Sequence, residues 1–239
     1  MCGRFAQTTP PRAFAERYGV DPMPALPNAP ARYNIAPTQD ALVIRHNPQE
    51  ERRELSLLRW GLVPSFAADT ARAGSLINAR SESVAEKASF KAAWFKPRRC
   101  VVPADAFYEW QQGAGGKTPH AIARADGAPM AFAGLWEGWK DPASGQWLRT
   151  FTLLTTTAND LLRPLHERMP VILDEDDIAL YLTASDPRDL LRPYPAEAMR
   201  LWPVSARVNA VRNDDADLLV EVTGLPAGSP SPVAQPSLF

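Results

Sequence analysis

The clearest reactive group in this sequence is Cys2 together with its own backbone amine. The chain begins Met1-Cys2-Gly3-Arg4, so removal of one methionine would place a free α-amine and a thiol on the same residue. An amine condenses with an aldehyde to an imine, and a thiol tethered two bonds away closes a five-membered thiazolidine with little loss of freedom. No other side chain offers that combination. The ordinary values of about 8 for the amine and about 8.5 for the thiol predict that both are partly reactive near neutral pH without large shifts. Taken alone, Cys2 also fits an inert residue behind a retained methionine, and the rest of the chain has to decide.

The remaining composition narrows the class. With 239 residues, 45% of them hydrophobic, the chain can bury a substantial core as a single domain. It has neither an apolar run of membrane-spanning length nor a basic region followed by an apolar stretch at its start, so a cytosolic protein without a membrane anchor is expected. Two cysteines, Cys2 and Cys100, are too few for a disulfide framework. Three histidines, His46, His120 and His166, without paired ligand spacing argue against a transition-metal site, and no cofactor is expected. Residues 1–124 carry 17 Lys or Arg against 11 Asp or Glu, whereas residues 125–239 carry 9 against 16. That +6 against −7 division, arginine-rich on its basic side, suits an anionic partner. An unevenly charged solvated surface accounts for it equally well.

These groups need elements to hold them. Thr8 to Tyr18 predicts a short helix with Pro10 and Pro11 in its first turn, followed by an irregular but ordered proline-rich connector from Asp21 to Pro37. Strand-like runs follow at Ala41–His46, Glu54–Leu62, Cys100–Pro103, Ala106–Gln111, His120–Arg124, Met130–Trp139, Thr150–Thr157 and Arg200–Val204. A helical segment over Ser83–Phe95 opens on the capping-box pattern Ser83-Val84-Ala85-Glu86, and shorter helices are predicted at Asp174–Leu182 and Pro187–Leu191. Many short strands with inserted helices predict an α+β domain over residues 1–223 with a mainly antiparallel, barrel-like sheet. Residues 224–239 have the Gly, Pro, Ser and Ala composition of a flexible tail.

Six strings become legible together: Met1-Cys2-Gly3-Arg4-Phe5, Tyr33-Asn34-Ile35-Ala36-Pro37-Thr38, Arg59-Trp60-Gly61-Leu62-Val63-Pro64, Asn78-Ala79-Arg80-Ser81-Glu82, Arg99-Cys100-Val101-Val102-Pro103 running on to Phe107-Tyr108-Glu109-Trp110, and His166-Glu167-Arg168-Met169-Pro170. In this order, from Cys2 to about Asp215, the chain resembles the SRAP family, named for SOS-response-associated peptidases and understood as sensors of abasic sites in single-stranded DNA. The resemblance implies a protein, acting as a monomer and nucleoid-associated when on DNA, whose Cys2 captures the ring-opened aldehyde of an abasic site. The product would be a thiazolidine crosslink that shields the lesion from β-elimination.

The resemblance also assigns roles. In a strand, Glu109 shares a face with Phe107 while Tyr108 and Trp110 point the other way. Apolar surroundings raise a carboxylate's pKa, and the family role is contact with the α-amine and proton transfer during imine formation. His166, bracketed by Pro164 and Pro170, suits the proton movements of deoxyribose ring opening. Asn78 would orient the amine or the sugar; otherwise an asparagine here reads as a turn or cap before a helix. Arg4 and Arg80 are the implied phosphate contacts, with Pro37 beside the DNA. Trp110, ahead of Trp60 and Phe66, is the implied stacking platform. Phe66 departs from the tryptophan usual after Pro-Ser in the family, and His46 and His120 fit structural roles.

The final Gln235-Pro236-Ser237-Leu238-Phe239 resembles the bacterial sliding-clamp-binding motif, with proline where leucine is usual second. Gln235, Leu238 and Phe239 would fill the clamp groove, tethering a lesion sensor near replication forks. Three other functions compete. A class II glutamine amidotransferase also exposes a cysteine followed by glycine, but the chain lacks an Asn-Gly dipeptide. A cysteine peptidase could use Cys2, Glu109 and His166, if only to remove Met1 in cis. A non-covalent single-strand binder would need only the basic half and the aromatics.

Overall fold

A computed structural model describes residues 2–21, 25–47, 49–96, 98–113 and 116–223. In chain order the elements are β1 (Phe5–Gln7), α1 (Pro11–Arg17), β2 (Arg32–Ile35), β3 (Asp40–Asn47), β4 (Arg52–Trp60), β5 (Asn78–Arg80), α2 (Ala88–Phe95), β6 (Arg99–Ala104) and β7 (Ala106–Gly113). They continue with β8 (Gly116–Arg124), β9 (Met130–Lys140), β10 (Trp147–Thr157), β11 (Arg168–Pro170), β12 (Ile172–Leu173), α3 (Ile178–Thr183) and β13 (Met199–Pro203). The expected α+β, barrel-like architecture is present. Strands β4, β3, β6 and β9 pair antiparallel in that order, β9 pairs β10, and a parallel β10–β4 pairing closes the ring. Closure leaves these five strands without the unpaired edges that invite aggregation.

A second, antiparallel sheet runs β13-β8-β7-β1-β2. Alternation along its strands and those of the barrel sorts the core into layers. Phe5, Ile35, Phe107 and Ile122 of the second sheet share one apolar cluster with Ala41, Val43, Leu58, Trp60, Val102, Phe132 and Phe151 of the barrel. Phe5 meets Trp60 edge-on at 4.9 Å between ring centroids, and Phe107 meets Phe132 at 5.7 Å. The intervening Leu42, Ile44, Val101, Ala133 and Leu135 face another cluster, which takes Phe14 of α1, Tyr18 just after it, Trp94 of α2 and Tyr181 of α3. Tyr108, Ala121 and Trp202 form a third layer under Val208 and Leu218.

Several local expectations are corrected. The first helix starts at Pro11, not Thr8, because the Asp105 carboxylate takes the backbone N–H of Thr9 at 2.9 Å and the Thr9 hydroxyl, holding this segment ahead of the helix. The connector contains β2, whose Tyr33 and Asn34 amides donate to Asp214, far along the chain. The capping box does not form: the Ser83 carbonyl accepts from Glu86 and Lys87 N–H at 3.1 Å each, and α2 begins only at Ala88. Residues 188–190 form a single 3-10 turn. Asn78 lies in a strand, not ahead of a helix. The tail from residue 224, with Gln235, Leu238 and Phe239, lies outside the described residues.

Gly61 follows β4 directly with a φ of +119°, and a Cβ there would stand 2.6 Å from the Ala73 carbonyl oxygen. Its N–H donates to Phe151 O at 2.8 Å, next to the parallel closure. Gly61→Ala is therefore expected to destabilise the protein by about 3 kcal/mol or more, from backbone strain plus the clash. Chemical denaturation of parent and variant checks it.

Candidate active site

β1 brings Cys2 to the junction of the two sheets. Phe5 pairs with Ile35 and with Phe107, and the Arg4 carbonyl accepts from the Tyr108 amide at 3.0 Å. Cys2 is consequently fully buried in the central cluster. Its thiol points to the Arg4 carbonyl, 3.7 Å away. Burial, reinforced by the charge of Glu109, pushes the thiol pKa well above its ordinary value. This corrects the expectation of a partly ionised thiol: Cys2 is held as the neutral S–H.

Asn78 sits on β5, paired in parallel with β10 at Leu153. Its Nδ2 donates to the Cys2 carbonyl at 2.8 Å. A carbonyl oxygen only accepts, which fixes the amide orientation. The Asn78 Oδ1 then lies buried without a hydrogen-bond partner among the described residues. Arg80, two residues on, shares the Asn78 face by strand alternation, while Ala79 turns into the helix-side cluster. Arg80 is exposed and in no salt bridge among the described residues.

Glu109 on β7 is buried. Phe107 lies with the Cys2 cluster while Tyr108 and Trp110 lie in the outer layer, the alternation read from the sequence. Burial pushes the Glu109 carboxyl up from the ordinary carboxylate range. Sequence reasoning missed its neighbour: the β7–β8 register sets His120 directly across from Glu109, on the same face. The His120 Nδ1 lies 3.1 Å from the Thr118 carbonyl, and burial pushes the imidazole pKa down. A neutral His120 does not offer Glu109 a cation to bring its pKa back down. Both residues were visible as strand positions, but the register that opposes them was not.

The loop between β10 and β11 carries His166, half-buried. Ala158, Leu162 and Leu165 of this loop, with Met169 after it, pack in the Cys2 cluster. The His166 Nδ1 accepts from the Arg168 amide at 2.9 Å, so the neutral ring carries its proton on Nε2. Burial lowers its pKa. The Arg168 guanidinium grips Glu82 through two bonds, at 2.5 and 2.9 Å, and the Thr155 carbonyl at 2.6 Å. Neither Glu82 nor Arg168 had a role from the sequence, although both lie in strings that stood out.

The other expected contacts divide. Arg4 does not present a free guanidinium: it donates to Asn34 Oδ1 at 3.0 Å and to the Val208 carbonyl at 2.8 Å. Asn34 in turn donates to Asn213 O at 2.8 Å, so Arg4 straps β1 to the 206–214 segment. Trp110 lies on the opposite face from Glu109, half-buried, with its indole N–H on Asn209 Oδ1 at 2.7 Å. Trp60 is corrected to a core residue, fully buried with its N–H on the Ile77 carbonyl. Phe66 is 67% exposed at a cavity of about 300 Å³ lined by Leu62, Pro64, Ala73 and Leu76. Pro37 is half-buried in the turn between β2 and β3, where Thr38 takes a φ of 72°.

The architecture is shared. A structure from Bordetella bronchiseptica superposes with a TM-score of 0.72 at 33% identity, covering 85% of this chain and all of that one. One from Bacteroides thetaiotaomicron has a TM-score of 0.82 over 92% of this chain, at 22% identity, and speaks to the fold alone. In sequence the chain is 37% identical over 225 residues to the abasic site processing protein YoqW of Bacillus subtilis (strain 168), covering 92% of this chain and 99% of that one. It is 34% identical over 221 residues to the abasic site processing protein HMCES of Gallus gallus, covering 80% and 66% respectively. The family model for SOS response associated peptidase (SRAP) matches residues 1–211, a span that takes in Cys2, Asn78, Glu109 and His166, and the chain belongs to that family.

Proposed function

We propose that this protein captures abasic sites in single-stranded DNA as a covalent thiazolidine on Cys2, after Met1 has been removed. The observation that carries the reading is the convergence on Cys2 itself: a buried neutral thiol near the charge of Glu109, with the Cys2 carbonyl held by Asn78. Relatives named as abasic site processing proteins point to the same substrate.

The chemistry follows in steps. His166, neutral with its proton on Nε2, helps open the deoxyribose: the C1′ hydroxyl loses its proton, the ring oxygen gains one, and the C1′–O4′ bond breaks to give the aldehyde. The Cys2 amine adds to C1′, and water leaves as the imine forms. The thiol then adds to the same carbon, a C–S bond forms, and its proton passes to the nitrogen through Glu109. A carboxylate with a raised pKa suits that transfer, being basic enough to take a proton from a neutral thiol. One water is lost overall. Arg80 and Phe66 are the exposed side chains for phosphate and base contacts.

A cysteine peptidase acting on other proteins fits less well. Such enzymes attack a polypeptide carbonyl with an accessible thiolate, and here the thiol is fully buried and its pKa pushed up. The test is denaturing electrophoresis of protein confirmed to begin at Cys2, with single-stranded DNA carrying one abasic site and an intact control. A heat-stable band specific to the abasic strand is expected; its absence sinks the reading.

The terminal Gln235, Leu238 and Phe239 are proposed to bind the bacterial sliding clamp. Leu238→Ala with Phe239→Ala should abolish clamp binding in a pull-down while leaving the crosslink intact, and unchanged clamp binding would eliminate the idea.

A further inference from the structure

The Glu82 carboxylate follows β5 by two residues and so is continuous with Asn78, whereas Arg168 opens β11 just after His166. Their paired hydrogen bonds join these two segments, and the Thr155 carbonyl between them takes a third bond from the same guanidinium. The Arg168 side chain is only 8% exposed, so its charge depends on Glu82 for neutralisation. The Arg168 backbone N–H is also the donor that holds His166 Nδ1. Around it, Ala158 N–H donates to the Glu167 carbonyl at 2.9 Å, and Thr157 pairs with Arg168. A planar two-point fork fixes an arginine far more closely than a single contact does.

We propose that Glu82 is a positioning residue: through Arg168 it fixes the tautomer and direction of His166 and locks that loop to the Asn78 strand. The inference rests on the ring-opening role given to His166 above. It carries a specific consequence. Losing the fork should impair the step that needs His166 and spare the steps that need only Cys2 and Glu109.

The test reacts the mature wild type, Glu82→Gln and Glu82→Asp with two single-stranded oligonucleotides. One carries an abasic deoxyribose; the other carries an acyclic aldehyde that needs no ring opening. Glu82→Gln is expected to slow adduct formation with the deoxyribose by roughly tenfold to a hundredfold, the scale of a misplaced catalytic group, and to leave the acyclic aldehyde unaffected. Glu82→Asp keeps the charge with a shorter reach and should show the same selectivity to a smaller extent; it is the variant read if Glu82→Gln does not fold. In parallel, ¹⁵N NMR of His166 should show the single Nε2–H tautomer of the wild type giving way to a mixture. Equal slowing with both substrates, or an unchanged His166 tautomer, overturns the proposal. The NMR result does not depend on crosslinking, so a wild type that forms no adduct would defeat the proposed function while the tautomer still decides the role of Glu82.

Discussion

Cys2→Ala protein, processed so that position 2 is its first residue, is expected to form no heat-stable adduct with abasic single-stranded DNA, while Cys2→Ser should form only a transient one. Both variants keep the α-amine and can make an imine. What they lose is the second nucleophile, whose tethering is equivalent to an effective concentration of about 10⁵–10⁸ M in well-oriented intramolecular reactions. Serine retains a hydroxyl, but that oxygen is a weaker nucleophile than sulfur, so imine hydrolysis should outrun closure. Borohydride trapping followed by a denaturing gel separates the cases: reduction should rescue a band in both variants, and the wild-type band should need no reduction. A stable unreduced band in Cys2→Ala would remove the thiol from the mechanism. The folded state should tolerate both changes, because the thiol's hydrogen bond is a long one to the Arg4 carbonyl and serine can donate to the same oxygen, losing about 1 kcal/mol.

Glu109→Gln should slow adduct formation by about 10²–10⁴-fold, the usual share of a positioned proton-transfer group. Glutamine keeps the shape and hydrogen-bonding capacity but cannot accept the thiol proton. Single-turnover rates on abasic DNA measure the loss, and a rate equal to the parent's would show that the proton leaves by another route. The same variant makes a stability prediction with a defined sign. Burial holds the folded-state pKa of Glu109 above its unfolded value. The stabilisation linked to this group is therefore full below the ordinary carboxylate value of about 4.3 and is lost as pH rises through the raised folded value. Glutamine does not titrate. The difference in Tm between Glu109→Gln and the parent should move in the variant's favour across that interval, and a difference independent of pH would contradict the burial account.

Local pattern carried much of the fold. The long strands β3, β4, β9 and β10 were legible because alternating and continuous apolar runs report burial directly, and the alternation around Glu109 placed it on the Phe107 side. Short elements were not. β1, β5, β11 and β12 have two or three residues each, too few for any period to show, and they exist through pairing with β7, β9 and β10. β2 likewise depends on Asp214, and no local signal in Arg32–Ile35 announces a carboxylate from the other end of the domain. The capping-box pattern at Ser83 failed for the converse reason: a motif that satisfies a helix end can equally close a turn.

Within the site, residue type and the surrounding strings together suggested the candidate chemistry. Only an N-terminal cysteine joins amine to thiol, so Cys2 stood out as a candidate without coordinates, and the family resemblance of the strings added Asn78, Glu109 and His166. Protonation state and partnership belonged to the tertiary structure. Burial at the sheet junction, not residue type, makes the Cys2 thiol neutral and raises the Glu109 carboxyl. Register set His120 opposite Glu109, chain crossing engaged Arg4 with Asn34 and Val208, and the Glu82–Arg168 fork joined segments 86 positions apart. Reactive atoms are a property of the residue, whereas pKa, orientation and ion pairing depend on what the rest of the chain brings within a few ångströms, which only the folded molecule decides.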